Sequence, residues 1–581
     1  MKLLPILLFL SQNAMAQMSC RSLFQEALSE PVQTTLQERY NVSSDQVQLT
    51  PNSRFPVIFR MADHKTLTPE IPVNSIPVRE LKTYDVVIAG GGPAGLTSAL
   101  YLAEAGKSVL ILERNSELGG LGAGSELKGV RAGGGAAYSA GPEGGLEYKI
   151  FQKIGLGKYK KKISIKEPID SYLWNGKLYK GIWEDHTLHE LPASFALFKH
   201  ALLKLSKQGA GQESGPLAEW ADGMFMSDLV KRMPTLAAEW KDAKSKEIMK
   251  IFNNDTRVSK TDPMGDVLEL LDLYGRSALG GPTNMISARQ FVDFYVSEIY
   301  TRYTGTLGTG TVTEALIKKL KKYPNLVHFK TSAPVAAIEN TADGAMTSFI
   351  EGNVLKEVRA KKVIFAAPVT LAPKIVKGLE AADPQKLAAI SGIQMSDYAV
   401  HVVRVKGHPF RATYDTWVAN NGDPSKPTDY ILGRWQDPLV NAFEGMRNFE
   451  RNPVDDYGVI TIYQPLGLAN RNNFQTANNL KMVENAVNEM VSKLTPIVAR
   501  DQQKIEIELV ESYRWPYSIH IVDPGFLKKI PILARPTKNV HYANNTIQSP
   551  ELETAMARGA REAMQIIELL NNQNLNEAAG Y

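Results

Sequence analysis

One segment constrains the fold of this 581-residue chain more than any other. Tyr84-Asp85-Val86-Val87-Ile88-Ala89 is a short run rich in β-branched residues, suited to a parallel strand buried on both faces. It leads straight into Gly90-Gly91-Gly92-Pro93-Ala94-Gly95, which satisfies G-x-G-x-x-G. A helix is expected to follow at once. Pro93 suits a first helical turn, where a missing N–H costs nothing, and Ala99 and Ala103 repeat from Gly95 at i+4 spacing to give a small-residue face. Gly106 is a helix stop. Ser108-Val109-Leu110-Ile111-Leu112 then reads as a second strand, ending at Glu113, eighteen residues after Gly95.

Each part of this unit has a physical use. Gly90 allows the tight turn, Gly92 lets the backbone approach a pyrophosphate with no Cβ in the way, and Gly95 permits close contact between helix and strand. The helix N-terminus, with Pro93 and Ala94 in its first turn, presents free N–H groups and a partial positive charge to phosphates. Glu113 stands where a carboxylate can accept hydrogen bonds from the ribose of an adenine dinucleotide. Strand, glycine turn, helix, strand and acid together specify such a site, whereas the glycines alone would be weak evidence.

The continuation distinguishes between dinucleotides. Glu113-Arg114 runs into Leu118-Gly119-Gly120, which resembles the E-R-x-x-x-x-G-G segment of the flavin amine oxidase and phytoene desaturase superfamily. Further blocks resemble that superfamily in its own order: Gly133 to Tyr138, its glycine-rich turn past the flavin; Gly308 to Leu316, a helix entry; Ala333 to Ile338, a strand with Val335 beside the adenine; and Lys362 to Pro368, a returning strand. Near the C-terminus Asn539 to Asn545 resembles its V-Y-F-A-G-D/E strand. Ala555 to Ala563 is similar to A-x-x-S-G-x-x-A-A on a last helix whose N-terminus faces the flavin pyrimidine.

The resemblance implies FAD as cofactor and an α/β fold: a Rossmann-like domain from discontinuous segments (81–150, 301–370, 531–581) plus an inserted α+β substrate domain (151–300, 371–530). Residues 17–80 are expected to combine a helix at Leu23 to Leu28 with an extended wrapping segment from Pro51 to Pro77, without chemistry. The departures are informative. Asn544 replaces the usual Gly and Asn545 the usual acid, so an amide or backbone must serve the ribityl and phosphate contacts. By spacing from Pro409-Phe410, His401 takes the place of the Lys that holds a water near flavin N5; its alternative is an ordinary sheet or core histidine. Tyr517 falls where one aromatic wall of an amine cage is expected, with Trp515 beside it as a second candidate or as plain packing. The opposite wall falls on Glu551.

Three activities follow from the resemblance, in order. The first is hydride removal from an amine or amino acid to flavin N5, with oxygen or another acceptor. Second is desaturation of a large apolar substrate, similar to desaturase and protoporphyrinogen oxidase members. Third is a non-redox flavoprotein or degenerate binding protein, a reading kept open by Asn544-Asn545. Composition bounds the rest: 44% hydrophobic and 22% charged residues indicate a globular chain, and a net charge of +5 gives no case for nucleic-acid binding. The sole cysteine, Cys20, permits no intramolecular disulfide and no Cys cluster for a metal. His186 and His189 read as surface loop, and the Lys158–Lys162 and Lys318–Lys322 sets as solvated surface.

The first sixteen residues read as an export signal: Lys2, the apolar run Leu3 to Leu10, then Ala14-Met15-Ala16 before Gln17. That run is too short to span a bilayer, and no later stretch is apolar and long enough. Acylation at Cys20 fits less well, because Gln17 stands where a lipobox has an aliphatic residue. The expected product is therefore periplasmic or secreted and begins at Gln17. N-terminal sequencing of protein from a fractionated host checks this, and an intact Met1 in the cytoplasm would overturn it.

Overall fold

The computed structural model describes residues 47–49, 55–60, 77–127, 130–139, 145–157, 170–299, 302–304, 306–406, 414–420, 422–423, 426–432, 457–467, 478–498 and 505–578. The export signal, Cys20, the segment Leu23 to Leu28, the Lys158–Lys162 set and Pro409-Phe410 lie outside them.

The glycine-turn unit forms as its sequence dictates. Tyr84–Ala89 is a strand, Pro93–Glu104 a helix and Val109–Leu112 a second strand, with its four residues all buried. They belong to an eight-stranded sheet whose parallel part runs Val327–Lys330, Val109–Leu112, Tyr84–Ala89 and Val354–Phe365. The last of these is long enough to serve two purposes. Its first half pairs antiparallel with Gly344–Glu351, which in turn pairs with Val335–Thr341. Its second half pairs parallel with Tyr84–Ala89 on one side and with Val540–Tyr542 on the other.

A nine-stranded mixed sheet forms the second body, in the order Val47–Leu49, Pro56–Arg60, Ile507–His520, Met395–Lys406, Tyr457–Gly467, Asp429–Leu432, Asp415–Val418, Asp170–Trp174 and Lys177–Lys180. Helix Asn478–Val498 covers one face through Val483, Val487, Met490 and Leu494. A helical layer, which includes Gly265–Leu279 and Ala288–Glu298, packs around Phe195, Phe198, Tyr274, Phe291 and Trp417.

Residues 17–80 do more than wrap. Pro56–Arg60 pairs parallel with Val510–Tyr513 inside the large sheet, with Val57 and Ile58 fully buried, and Val78–Arg79 joins the other sheet. Arg60 also reaches the buried Glu511, whose second oxygen is held by Arg404. His186 and His189 lie on a short helix, Asp185–Glu190, rather than in a loop. The helix near Ser227 is capped at Phe225, so Ser227 is an interior residue.

Two helices carry the close packing of the cofactor body. Leu552–Ala578 lies against Pro93–Glu104, where the Ser98 hydroxyl donates to the carbonyls of both Ala94 and Gly559, each at 2.9 Å. A Cβ on Gly559 would overlap the Ala94 carbonyl oxygen. Helix propensity favours Ala over Gly by up to about 1 kcal/mol, but overpacking against rigid backbone costs about 1–3 kcal/mol. Gly559→Ala is therefore expected to lower stability by a net one or two kcal/mol on this reckoning, measured by urea unfolding; an unchanged or raised midpoint would show that the two helices separate freely.

Candidate functional site

The carboxyl ends of Tyr84–Ala89, Val354–Phe365 and Val540–Tyr542 come level, because Ala89 and Tyr542 both pair with Phe365. A cavity opens just beyond those ends, the place where open α/β sheets bind ligands. Its walls include Gly90, Gly92, Pro93, Ala94, Glu113, Arg114, Gly120, Val335, Asn544, Asn545, Ala555 and Tyr517.

The three motif glycines have the three expected uses. Gly90 has φ +119°, in the region that favours glycine, and makes the turn. A Cβ at Gly95 would overlap the Gly90 carbonyl oxygen and sit 3.1 Å from Ile88 Cγ2, so close helix–strand contact requires glycine there. Gly92 differs from both. Its φ of −79° suits any residue, and a Cβ there would meet no protein atom within 4 Å. Only something bound in the cavity gives that glycine a purpose.

Glu113 is tied to the loop it follows. One carboxylate oxygen accepts from the Gly91 N–H at 2.7 Å and the other from the Asn115 N–H at 2.9 Å. Burial pushes its carboxyl upward, opposed by those amides and by Arg114. Gly119 donates its N–H to the Gly91 carbonyl at 2.9 Å, so the Gly119-Gly120 turn, with φ of +129° and +52°, rests on the glycine loop. Asn544 is anchored by the chain beside it. One N–H of its amide donates to the Ala366 carbonyl at 3.1 Å and its oxygen accepts from the Thr546 N–H at 2.7 Å, which closes a turn on the cavity wall; the second amide N–H is the donor such a side chain can offer a cofactor. Asn545 remains on the cavity wall.

A second cavity, of about 390 Å³, adjoins the first; Leu121, Ala136, Trp515, Ser518 and Glu551 face both. Strand Ile507–His520 builds this junction through an irregularity. Trp515 pairs with Tyr398 and Ile519 with Ser396, so four steps on one strand match two on the other. Tyr517, inside that bulge, has φ +53° and donates its backbone N–H to Asp397 at 2.9 Å. The bulge turns Trp515, Pro516, Tyr517 and Ser518 together toward the first cavity. Trp515 is fixed by its indole N–H, which donates to the Gly134 carbonyl at 2.7 Å, and by stacking on Tyr513 with 6.2 Å between ring centres.

His401 joins neither wall. Tyr398 and Val400 line the second cavity, and side chains alternate along a strand, so His401 faces the other side of the sheet. There its ring nitrogens lie 3.0 Å from the Ser512 hydroxyl and 3.0 Å from the Gln464 amide oxygen, and burial lowers its pKa to about 4. It is a neutral, bonded core histidine. The groups sequence reasoning missed are Tyr398, Asp429 and Tyr463: the Ser277 hydroxyl lies 2.7 Å from Tyr398 Oη and donates to Asp429 at 2.8 Å, and the Tyr463 hydroxyl donates to the Gly135 carbonyl at 2.7 Å. The signal that could have found the first of them is period-two alternation along Met395–Lys406, which puts Tyr398 on the face opposite His401.

The model of the family described as flavin containing amine oxidoreductase matches residues 93–567. The chain belongs to that family. It is 27% identical to the flavin-containing amine oxidase B of Sus scrofa over 305 residues, 50% of this chain and 51% of that protein. The chain spans at most about half the length of the first curated relatives it matches. Among solved structures, a triple mutant of putrescine oxidase shares the fold with a TM-score of 0.57 at 17% identity, over 85% of this chain and 100% of that one. Cyclohexylamine oxidase from Brevibacterium oxydans IH-35A gives 0.56 at 17% identity, over 84% and 100%.

FAD is the cofactor of this site, and the residues present fit it. The cradle at Gly92 is one that a Cβ would fill, the Pro93 helix points its N-terminus there, and the last helix begins at Leu552 on the cavity wall. Gly92→Val is therefore expected to purify without flavin absorbance and to unfold at the midpoint of wild-type protein stripped of its flavin, since the branched side chain displaces only the pyrophosphate. A variant that still carried stoichiometric FAD would refute this assignment.

Proposed function

We propose that this chain oxidises an amine, removing a hydride from the carbon bound to nitrogen, with dioxygen as the acceptor of the electrons. The observation that carries the reading is the charge of the second cavity. Glu147, Asp429, Glu551 and Glu553 lie on its walls, with no Lys, Arg or His among the described residues there. Between them are apolar and aromatic surfaces, Leu121, Phe294, Val400, Trp515 and Ile519. Filling such a cavity with a polyisoprenoid would strip these carboxylates of water with nothing in the ligand to offset the loss, at a cost of several kcal/mol each by general ion-burial estimates. An ammonium group offsets that cost. The same acids repel the carboxylate of an α-amino acid, which favours simple amines over amino acids.

FAD supplies the hydride acceptor at flavin N5 when bound. The protein orients the substrate and excludes water. Trp515 presents a fixed aromatic wall at the junction, and Tyr398 and Tyr463 meet edge to face with 5.9 Å between ring centres on the cavity floor. Asp429 is anchored by the hydroxyls of Ser277 and Thr428 at 2.8 and 2.7 Å, so its charge cannot swing away. Tyr398 is held well above its usual range by burial and by Asp429, so it stays a neutral phenol at any working pH. Export as a mature chain from Gln17 belongs to the same proposal, which places the enzyme where small external amines are met.

Anaerobic titration of purified holoenzyme tests the reading. Benzylamine, cyclohexylamine or butane-1,4-diamine is expected to bleach the flavin absorbance, whereas α-amino acids and an apolar polyene leave it unchanged. Bleaching by the polyene alone, or by none of the amines, would sink it.

A further inference from the structure

Among the described residues common to both cavities, Glu551 is the only one that can carry a charge. It therefore stands where the cofactor cavity meets the substrate cavity, in the position where the counterpart of the aromatic wall at Tyr517 was expected. Its carboxyl is positioned by a chain of buried groups. Arg289 donates to the Gln290 amide oxygen at 2.6 Å, the Gln290 amide nitrogen donates to the Ser549 hydroxyl at 2.8 Å, and Ser549 bonds onward to Glu551. Arg289, Gln290 and Ser549 are all buried. The Thr554 hydroxyl donates to Glu551 Oε2 at 3.0 Å, and the Glu551 carbonyl accepts the Ala555 N–H as the last helix begins. No part of this chain of donors is needed to cap a helix with a solvated acid. It fixes one carboxyl at the mouth between two cavities.

We propose that Glu551 receives the cationic nitrogen of the substrate and takes its proton. This rests on the amine-oxidation reading. The ammonium N–H bond breaks and its proton passes to the Glu551 carboxylate, leaving a neutral amine and a carboxylic acid. The neutral amine, with its nitrogen lone pair free to form the C=N bond, can then lose the hydride and both C–H electrons to the flavin. An ordinary carboxylate is too weak a base for this exchange. Here burial raises the carboxyl, helped by Asp293 on the Ala288–Glu298 helix and by Glu553 on its own helix, while the Thr554 and Ser549 hydroxyls oppose the rise. It shares the cavity walls with Glu147 and Asp429, and Asp293 is itself paired with Arg289 at 3.6 Å. A base whose pKa lies nearer that of an alkylammonium accepts its proton more readily.

Two measurements on holoenzyme test this. Calorimetry with benzyltrimethylammonium, a cation that has no proton to give, reads recognition without turnover. Because the cation prefers the ionised carboxyl, wild-type affinity is expected to rise at least tenfold between pH 6 and pH 9.5, and E551Q affinity to change less than twofold. Stopped-flow reduction by cyclohexylamine, which is still largely protonated at pH 9.5, is expected to be at least tenfold slower in E551Q at that pH and to differ by less than threefold at pH 6. Equal pH dependence in the two proteins, or a loss of the same size at every pH, would overturn the role. Where E551Q does not retain FAD, Thr554→Val carries the test: loss of one donor to the carboxylate is expected to move the wild-type midpoint to higher pH, and an unmoved midpoint overturns it. If no amine reduces the wild-type flavin, the amine-oxidation reading fails, and the calorimetry still decides whether Glu551 holds a cation.

Discussion

Strand Val354–Phe365 is the joint on which the molecule depends. Val363, Ile364 and Phe365 pair at once with Val87, Ile88 and Ala89 and with Val540, His541 and Tyr542, all in parallel. Parallel neighbours cannot be linked by a short hairpin, so each pairing requires a long excursion of the chain. Those excursions hold the helical layer and the large sheet. The cost of closing such loops grows only slowly with their length, so hundreds of inserted residues are tolerated if the three strands are buried. They are: Val87, Ile88, Val363, Ile364 and Val540 have no exposed surface. One consequence is chemical. The loops that leave the three strand ends, Gly90 to Gly95, Ala366 to Pro368 and Ala543 to Asn545, must converge, and the dinucleotide cavity is the space between them.

The second sheet is joined to this frame by polar contacts that burial makes selective. Arg302 lies between Asp170 and Asp415, 3.2 Å from each, and its guanidinium covers the Tyr138 ring at 4.6 Å. Within the large sheet Arg60 and Arg404 converge on Glu511, whose carboxyl burial alone would raise but the two cations hold below its usual value, and the Ser125 hydroxyl of strand Gly124–Leu127 donates to the same carboxylate at 3.0 Å. Such clusters add little net stability, because removing two or three ions from water costs about as much as their attraction returns. Removing one partner leaves a buried charge alone, at about 3–5 kcal/mol. They therefore discriminate against misregistered pairings more than they strengthen the correct one. Tyr138 lies on the wall of the second cavity, so the Arg302 cluster also fixes one side of that space.

Legibility in the sequence followed the distance over which each feature is determined. The glycine unit was readable because strand, turn, helix and acid are set by about thirty consecutive residues. The strand Pro56–Arg60 was not, since its partner Val510–Tyr513 lies near the other end of the chain and pairing leaves no local mark beyond Val57-Ile58-Phe59. His401 shows a different limit. Side chains alternate with period two, so counting along a strand from a distant landmark must be correct to the residue, and an error of one moves a group from the cavity to the opposite face. The bulge at Trp515 to Ser518 was invisible for a related reason: it exists only in the register between two strands. Asn544 was located correctly on the cavity wall, but which way its amide points depends on Ala366 and Thr546.

Glu551 brings the two kinds of determinant together. As the residue before the last helix, it sits at the positive end of the helix dipole, which favours an ionised acid by about 0.3–1 kcal/mol at an exposed position. Stripping a carboxylate of water opposes ionisation by several kcal/mol even after relaxation. Burial and the neighbouring acids therefore outweigh the dipole and the two hydroxyl donors, and the carboxyl is raised. The balance changes when a cation enters. An ammonium beside Glu551 favours the charged form directly, in a space where the attraction is screened less than in water. On the proposed amine reading, the carboxyl is most basic before the substrate arrives and most acidic beside the bound cation, so the field that would draw an ammonium in would also determine how far its proton can move. An aromatic wall at the same position would offer the cation a ring face and no place for that proton.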